Sequence, residues 1–303
     1  MRGSIFGKMI TMTSFGESHG PFMGVVLDGI PSGLKINLDD LQKELDRRRP
    51  GKLKGTSSRN EPDIPEILSG IFEGVTLGTP IAIIVKNIAH QSSDYDLLKN
   101  VSRPGHADKT FLQKYGIRDH RGGGRSSGRE TISRVIAGYF ASLIIPQVKI
   151  NCTSILPEGV DLEELKREGE SVGGKVNIEI INCPSGLGEP VFDKLKADLA
   201  KSLLSIGGCT SFSYGLGEDF AYKKGSEVSD NSSNFGGIEG GISNGEIITL
   251  SLTFKPVSTI GKKAKEGRHD PCIIPRVIPV VESMVKWVIA DHLLRQSAYE
   301  FSK

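Results

Sequence analysis

The sequence predicts a mixed α+β fold built in layers, and three features predict it. One stretch carries Ile132, Val135, Ile136, Tyr139, Phe140 and Leu143 at helical spacing, and a second carries Val280, Val281, Met284, Val285, Val288, Ile289 and Leu293. Several short β-rich runs lie before, between and after these two apolar helices, separated by glycine-containing turns. No composition break or fixed-period repeat divides the 303 residues, so a single domain over 1–303 is expected, long enough to bury a core without covalent staples.

Taken in order, Gly7 to Thr13 and Met23 to Leu27 read as strands around the compact loop Phe15-Gly16-Glu17-Ser18-His19-Gly20. Asn37 is placed to cap a helix with Asp39 and Asp40 in its first turn and Leu38, Leu41 and Leu45 on its apolar face. That helix ends at Arg47-Arg48-Arg49-Pro50-Gly51, where cations complement the negative end of the dipole. Lys52 to Arg59 has no periodicity and reads as a basic loop, a candidate lid. Ile67 to Val75 and Pro80 to Asn87 are most simply an antiparallel pair. Gln147 to Ile155 and Lys175 to Asn182 read as strands separated by a polar helix within Glu158 to Val172. Asp193 to Ile206 is an amphipathic helix stopped by Gly207-Gly208, and Gly215 to Ser233 is a polar surface loop. A glycine-rich segment, Phe235 to Ser243, leads into the strand Glu246 to Phe254, and Pro279 is expected to open the last helix.

A net charge of +2 is too small for a nucleic-acid binder, yet it conceals arginine clusters in 47–59, 103–134 and 268–276. Such patches suit a compact, highly charged ligand better than a long polyanion. Cys152, Cys183, Cys209 and Cys272 include no C-x-x-C pair, so neither a zinc knuckle nor a dithiol motif is evident and no metal is expected. Four thiols without an apolar signal segment or membrane-length run point to a soluble cytoplasmic protein. The glycines at 236–241 precede a strand rather than a helix, and no G-x-x-x-x-G-K-S/T loop occurs, so dinucleotide and P-loop readings lack support.

The chemistry is expected at Gly122-Gly123-Gly124-Arg125-Ser126-Ser127-Gly128-Arg129-Glu130-Thr131. Ser127 and Glu130 have capping-box spacing, which starts a helix near Gly128. Helix starts collect carboxylates, but here Arg118, Arg121, Arg125, Arg129 and Arg134 crowd the approach, which makes a seat for phosphate or carboxylate groups. The competing reading is a plain turn whose arginines are solvated or paired with Asp119 and Glu130. His19, between glycines, is either a working group or a turn residue bonded to its neighbours. His106 stands in Arg103-Pro104-Gly105-His106-Ala107-Asp108, beside a carboxylate. His90, His120 and His292 lack such company and read as structural.

Five blocks resemble the chorismate synthase family: Gly16-Glu17-Ser18-His19-Gly20, Arg47 to Gly51, Arg103 to Asp108, Gly124 to Thr131 and Gly267-Arg268-His269-Asp270-Pro271-Cys272. The resemblance implies a β-α-β sandwich, antiparallel sheets packed around long core helices. It implies a trans-1,4 elimination of phosphate from 5-enolpyruvylshikimate 3-phosphate to give chorismate, with reduced FMN required but no net redox change. By the same resemblance His19 acts at the leaving phosphate, His106 at the reduced flavin, and Asp270 helps remove the C6 proton, with flavin N5 as the immediate acceptor. Arg125, Ser126, Ser127, Gly207, Gly208, Gly240, Lys255, Pro256, Val257, Ser258, Thr259 and Arg268 fall on flavin-contacting positions. Arg48 and Lys54 match positions tied to NADP or substrate, and Arg129 and Arg134 are assigned here to substrate anions. A homotetramer is implied, and so compact a chain argues for reduced flavin from an external reductase, with NADPH as an indirect reductant.

Gly128, His120, Gly207-Gly208 and Lys54 depart from residues usual in the family, and the segment Ile260 to Glu266 is shorter than in many members. Two other classes compete. A non-catalytic phosphate or RNA binder would carry a larger positive charge and stacking aromatics in its basic loops. A flavin-dependent redox enzyme would turn over NADPH stoichiometrically with substrate.

Overall fold

The computed structural model describes residues 3–49, 61–88, 105–120, 122–261 and 270–299. The chain opens with β1 (Ile5–Phe6), β2 (Thr11–Gly16) and β3 (Phe22–Asp28), followed by α1 (Leu38–Arg48). Next come β4 (Pro65–Ile67), β5 (Ile71–Phe72), β6 (Val75–Thr76) and β7 (Ile81–Lys86). The middle holds α2 (Asp108–Tyr115), α3 (Thr131–Ile144), β8 (Lys149–Ile155), α4 (Leu162–Glu168), β9 (Gly174–Ile181), α5 (Leu195–Leu204) and β10 (Cys209–Tyr214). The last third contains α6 (Gly225–Ser229), β11 (Ile238–Glu239), β12 (Ile242–Ser243), β13 (Ile248–Phe254) and α7 (Ile274–Ser297).

Two antiparallel sheets enclose the helices. The first runs β1-β2-β3-β7-β4 and the second β10-β13-β9-β8. Alternation decides which face each strand buries: Ile81, Ile83 and Val85 of β7 point inward, as do Val176, Ile178 and Ile180 of β9 and Ile248, Leu250, Leu252 and Phe254 of β13. Helix α3 packs on β2 and β3, α7 packs on β8 and β9, and the two helices pack on each other, giving the expected β-α-β sandwich. Ser133 Oγ donates to Gly24 O at 2.8 Å, tying α3 to β3.

α1 is fixed at both ends. Asn37 Oδ1 accepts from the Asp39 and Asp40 N–H groups, and Tyr139 Oη of α3 both accepts from Asn37 N (2.7 Å) and donates to Asn37 O (3.0 Å). At the other end the Arg47 guanidinium forks onto both oxygens of Glu282 in α7, at 2.7 and 2.8 Å, and these bonds raise its pKa.

Several expectations are corrected. Helix α7 begins at Ile274, not at Pro279, which lies inside it. Pro275 in the first turn sacrifices no intrahelical bond, and the Pro279 carbonyl accepts from Ser283 Oγ at 2.6 Å. The run Ile67 to Val75 is split: β4 pairs with β7, whereas β5 and β6 form their own hairpin, whose two loop residues Glu73 and Gly74 both have positive φ (48° and 75°). The strand expected from Gly7 is broken there by a φ of 108°. β10 and α2 were not expected from the pattern. Among the described residues, no helix is long and apolar enough to cross a membrane, and no group of three or more His, Cys, Asp or Glu side chains is placed to hold a metal ion.

α3 and α7 meet most closely where Gly138 faces Ser283, since a Cβ on Gly138 would stand 2.5 Å from the Ser283 Cα. Glycine inside a helix normally costs about 1 kcal/mol relative to alanine, so Gly138→Ala would ordinarily stabilise. Here overpacking reverses the sign, and we expect Gly138→Ala to destabilise by about 1–3 kcal/mol, measured by denaturant unfolding.

Candidate active site

The loop after β2 carries His19 and lies against the glycine-rich segment before α3. His19 is 8% exposed, and Ser18 Oγ lies 2.9 Å from its Nδ1. A side chain on Gly122 would overlap the Nδ1 and Cε1 atoms of that imidazole, so the glycine is what lets the two loops close. The Arg125 guanidinium bridges the same loops: Nη1 donates to Gly16 O at 3.0 Å and Nη2 to Ser14 Oγ at 2.7 Å. The Glu17 carboxylate accepts from the Arg125 main-chain N–H, and its pKa is raised, chiefly by burial, against the lowering effect of Arg125.

The helix start differs from expectation in one respect. Gly124–Ser126 and Gly128–Glu130 are short 3-10 turns before α3, and Ser127 Oγ does cap, accepting from Arg129 N at 3.3 Å. Glu130 does not complete a capping box; its carboxylate accepts from Arg134 Nε at 3.0 and 3.1 Å. A guanidinium one turn along outcompetes a neutral backbone N–H for the carboxylate. Arg134 also donates to Ser205 Oγ (2.7 Å) and Ser205 O (3.1 Å), just before Gly207-Gly208. Ser126 Oγ donates to Gly123 O at 2.6 Å.

From the His19 loop a polar ladder runs to Asp270. Asn87 Nδ2 donates to Glu17 O (3.1 Å) and Gly20 O (2.8 Å), and Asn87 Oδ1 accepts from Arg129 Nε at 2.7 Å. Arg129 Nη1 donates to Asp63 Oδ1 at 2.6 Å and also pairs with Glu61. Asp63 Oδ2 accepts from Arg48 Nη2 at 2.6 Å; the Arg48 carbonyl accepts from Arg276 Nε at 3.2 Å; Arg276 pairs with Asp270. Arg48 is 2% exposed, and desolvation lowers its pKa to about 10, so it remains a cation at neutral pH.

A second cluster forms around His106. Its Nδ1 lies 3.0 Å from Asp108 Oδ1, an atom also held by Arg118 Nη1 at 2.9 Å. Gly105 O accepts from Lys255 Nζ (3.1 Å) and Ser258 Oγ (2.8 Å), and Gly208 O accepts from Lys255 N at 2.9 Å. Ser171 Oγ donates to Val257 O at 2.8 Å and Val172 N to Pro271 O at 2.9 Å, which joins this cluster to Asp270. Pro256 is exposed and Thr259 half-buried on the same segment. Gly240 stands apart at the β11–β12 turn, where its carbonyl accepts from Lys194 Nζ at 2.9 Å, at the opposite end of α5 from Gly207. Lys54 and Arg268 lie outside the described residues. His292 is buried against Asp198, at 3.0 Å. Two cavities, of about 60 Å³ beside Lys8 and about 610 Å³ over the start of α1, are lined by none of His19, His106, Arg125 or Asp270.

Sequence reasoning missed Asp63, Glu61, Asn87 and Arg276. Glu61-x-Asp63 directly after a basic stretch was the available signal, since buried guanidiniums require nearby carboxylates.

Layered sheets around two central helices, with histidines and guanidiniums gathered at the helix starts, define an α+β protein with an arginine-rich polar cluster between its loops. The chain belongs to the chorismate synthase family: the family's sequence profile, described as chorismate synthase, matches residues 10–159 and 159–294. A chorismate synthase of Prochlorococcus marinus subsp. pastoris is 44% identical over 357 aligned positions, covering 98% of each chain. Those of Phocaeicola vulgatus (45%, covering 95% of this chain and 97% of that one) and Methanosarcina mazei (44%, 97% of each) are similar. A crystal structure of chorismate synthase superposes with a TM-score of 0.76 at 27% identity, covering 96% of this chain and 93% of the other.

Because His19 fits only against a bare Gly122, Gly122→Ala is expected to push the imidazole aside. Turnover should fall by about two orders of magnitude, as for a displaced reacting group, while circular dichroism stays unchanged.

Proposed function

We propose that this chain catalyses the trans-1,4 elimination of phosphate from 5-enolpyruvylshikimate 3-phosphate to give chorismate, the precursor of aromatic amino acids, with reduced FMN and no net redox change. The observation that carries this reading is the unbroken ladder from the His19 loop through Asn87, Arg129, Asp63, Arg48 and Arg276 to Asp270. On this reading His19 would serve as proton donor near one end of a linked array of cations and Asp270 as carboxylate at the other.

The substrate bears a phosphate and two carboxylates. Breaking its allylic C–O bond builds charge on the departing phosphate, which fixed guanidiniums stabilise more in the transition state than in the ground state. His19, shielded and bonded to Ser18, is suited to protonate that leaving group. Asp270 assists removal of the C6 proton.

The residues present fit a flavin. Nothing lies within 4 Å of where a Gly207 side chain would stand, which leaves an open shelf beside the Gly208–Lys255 main-chain pairing, and the exposed Lys255 suits a phosphate tail. Gly207, Gly208, Lys255, Pro256, Val257, Ser258 and Thr259 would hold the ring and tail, with Arg125, Ser126, Ser127 and Arg268 around them. Gly240, at the far end of α5, would join such a site through another copy of the chain, in keeping with a homotetramer. Reduced FMN, when bound, supplies transient electron density to the substrate. His106, held by Asp108, keeps a proton available at the cofactor's edge. Arg48 and Lys54 would serve substrate or NADPH, Arg129 and Arg134 the substrate anions, in a single-domain cytoplasmic enzyme fed by a separate flavin reductase.

An anaerobic assay with reduced FMN and the enolpyruvyl substrate should show equimolar phosphate release and diene absorbance; NADPH consumption in step with product would refute the elimination. His19→Ala and His106→Ala should each lower turnover by about two to four orders of magnitude without unfolding, the range for a lost general acid or base. Arg125→Ala should weaken FMN binding in a fluorescence titration, and an unchanged titration would remove Arg125 from the flavin site.

A further inference from the structure

We propose that Asp63 is a positioning residue whose buried carboxylate fixes Arg48 and Arg129 in the orientation that receives the anionic groups of the substrate; this rests on the function proposed above. Asp63 is 1% exposed, and its two oxygens serve different elements: Oδ2 accepts from Arg48 at the end of α1, Oδ1 from Arg129 just before α3, both at 2.6 Å. Two guanidiniums from distant parts of the chain are thereby locked to a single planar group.

The backbone supports this assignment. Asp63 has φ 48°, a left-handed conformation uncommon for a residue with a side chain and best tolerated by asparagine and aspartate. It is held there from below, since Gln42 Nε2 donates to the preceding Pro62 carbonyl at 3.1 Å. Strain of this kind persists where the surroundings over-determine it, and here both carboxylate oxygens do so.

The donors left over point to a ligand. Arg48 Nε, although buried, has no acceptor among the described residues, and Arg129 Nη2 makes only a 3.4 Å contact with Lys86 O at an exposed edge. Glu61 does not share the role of Asp63: it pairs with Arg129 from one side, and its Oε2 makes no aligned hydrogen bond. Asp63 and Glu61 together balance the two guanidiniums, but Asp63 alone bonds both, so it fixes their direction while the outer edge of Arg129 keeps donor capacity for an arriving anion.

Asp63→Asn isolates the carboxylate, because asparagine accepts the same φ. Inorganic phosphate should raise the thermal midpoint of the wild-type chain and leave that of Asp63→Asn nearly unchanged. In steady-state kinetics Asp63→Asn should lower kcat and kcat/KM for 5-enolpyruvylshikimate 3-phosphate together by about tenfold or more with circular dichroism unchanged, the pattern of an interaction realised in the transition state, which a purely structural role would not produce. Should Asp63→Asn fail to fold, Asp63→Glu keeps the charge but moves it by one methylene, and a folded Asp63→Glu with a blunted phosphate response supports the assignment. A wild-type phosphate response and kcat/KM in whichever variant folds would overturn it. A wild-type chain that binds phosphate but releases none from the enolpyruvyl substrate would sink the reaction and leave the role of Asp63 standing, since the phosphate arm needs no turnover.

Discussion

The packing of α3 on α7 determines where the arginines of the ladder and Asp270 fall. Each helix brings its own start to the same side of the sandwich: α3 brings the glycine loop, Arg125 and Arg129, and α7 brings Asp270 and Arg276. Their separation is set by the absence of a side chain at Gly138. α1 then has only one way to lie, because its cap residue Asn37 is tied to Tyr139 of α3 and its last turn to Glu282 of α7. Arg48 is delivered to the ladder as a result of those two attachments, not through any preference of its own.

Charge pairing follows from that geometry. The arginine-rich stretches looked like cations awaiting an anion, but the fold supplies most of the partners: Glu282 for Arg47, Asp63 for Arg48, Asp63 and Glu61 for Arg129, Glu130 for Arg134, Asp108 for Arg118. For Arg48, the fully buried one, a guanidinium without a carboxylate would cost several kcal/mol, a large part of the stability of a domain, so its pairing with Asp63 is a condition of folding. Of the two readings of the helix start, the paired one holds for Arg134, and for Arg129 with unforeseen partners. It does not hold for Arg125, which is bonded to the Gly16 carbonyl and to the carbonyl and hydroxyl of Ser14.

What the sequence revealed was periodic or local. The buried faces of α3 and α7, the Asn37 cap and the alternating strands follow from spacing alone, because 3.6- and 2-residue periods are imposed by backbone geometry. Family-like blocks located the loops that gather around the ladder. Hidden from it were contacts between residues far apart in the chain. Nothing near Asp63 says that Arg48 and Arg129 meet there, and nothing near Glu130 says that Arg134 will draw its carboxylate away from the helix start. Pro279 misled for a related reason: a proline is read as a first-turn residue, yet Pro275 had already filled that place. β10 escaped because its sequence, Cys-Thr-Ser-Phe-Ser-Tyr, is polar and its burial only partial; it is a strand because β13 provides the pairing edge.

A set of guanidiniums already matched by carboxylates can still act on an anion, and the reason is preorganisation. In water an arginine must shed solvent and lose rotamer freedom before it can stabilise developing charge; a guanidinium fixed by a buried carboxylate has met that cost during folding. The pairing lowers the net charge but leaves the N–H dipoles directed. For the proposed elimination, ground-state attraction for phosphate would thereby be moderated while stabilisation of a departing phosphate is retained, the difference on which catalysis depends. In the proposed elimination this labour would be divided between two ends. His19 and the arginine ladder form one, His106 with Lys255 and Gly208 the other, and Asp270 lies between them, tied through its own side chain to Arg276 and through Pro271 to the Val172 strand approach. A carboxylate so placed is coupled to both ends at once, and any shift of α7 relative to β9 would be felt at each.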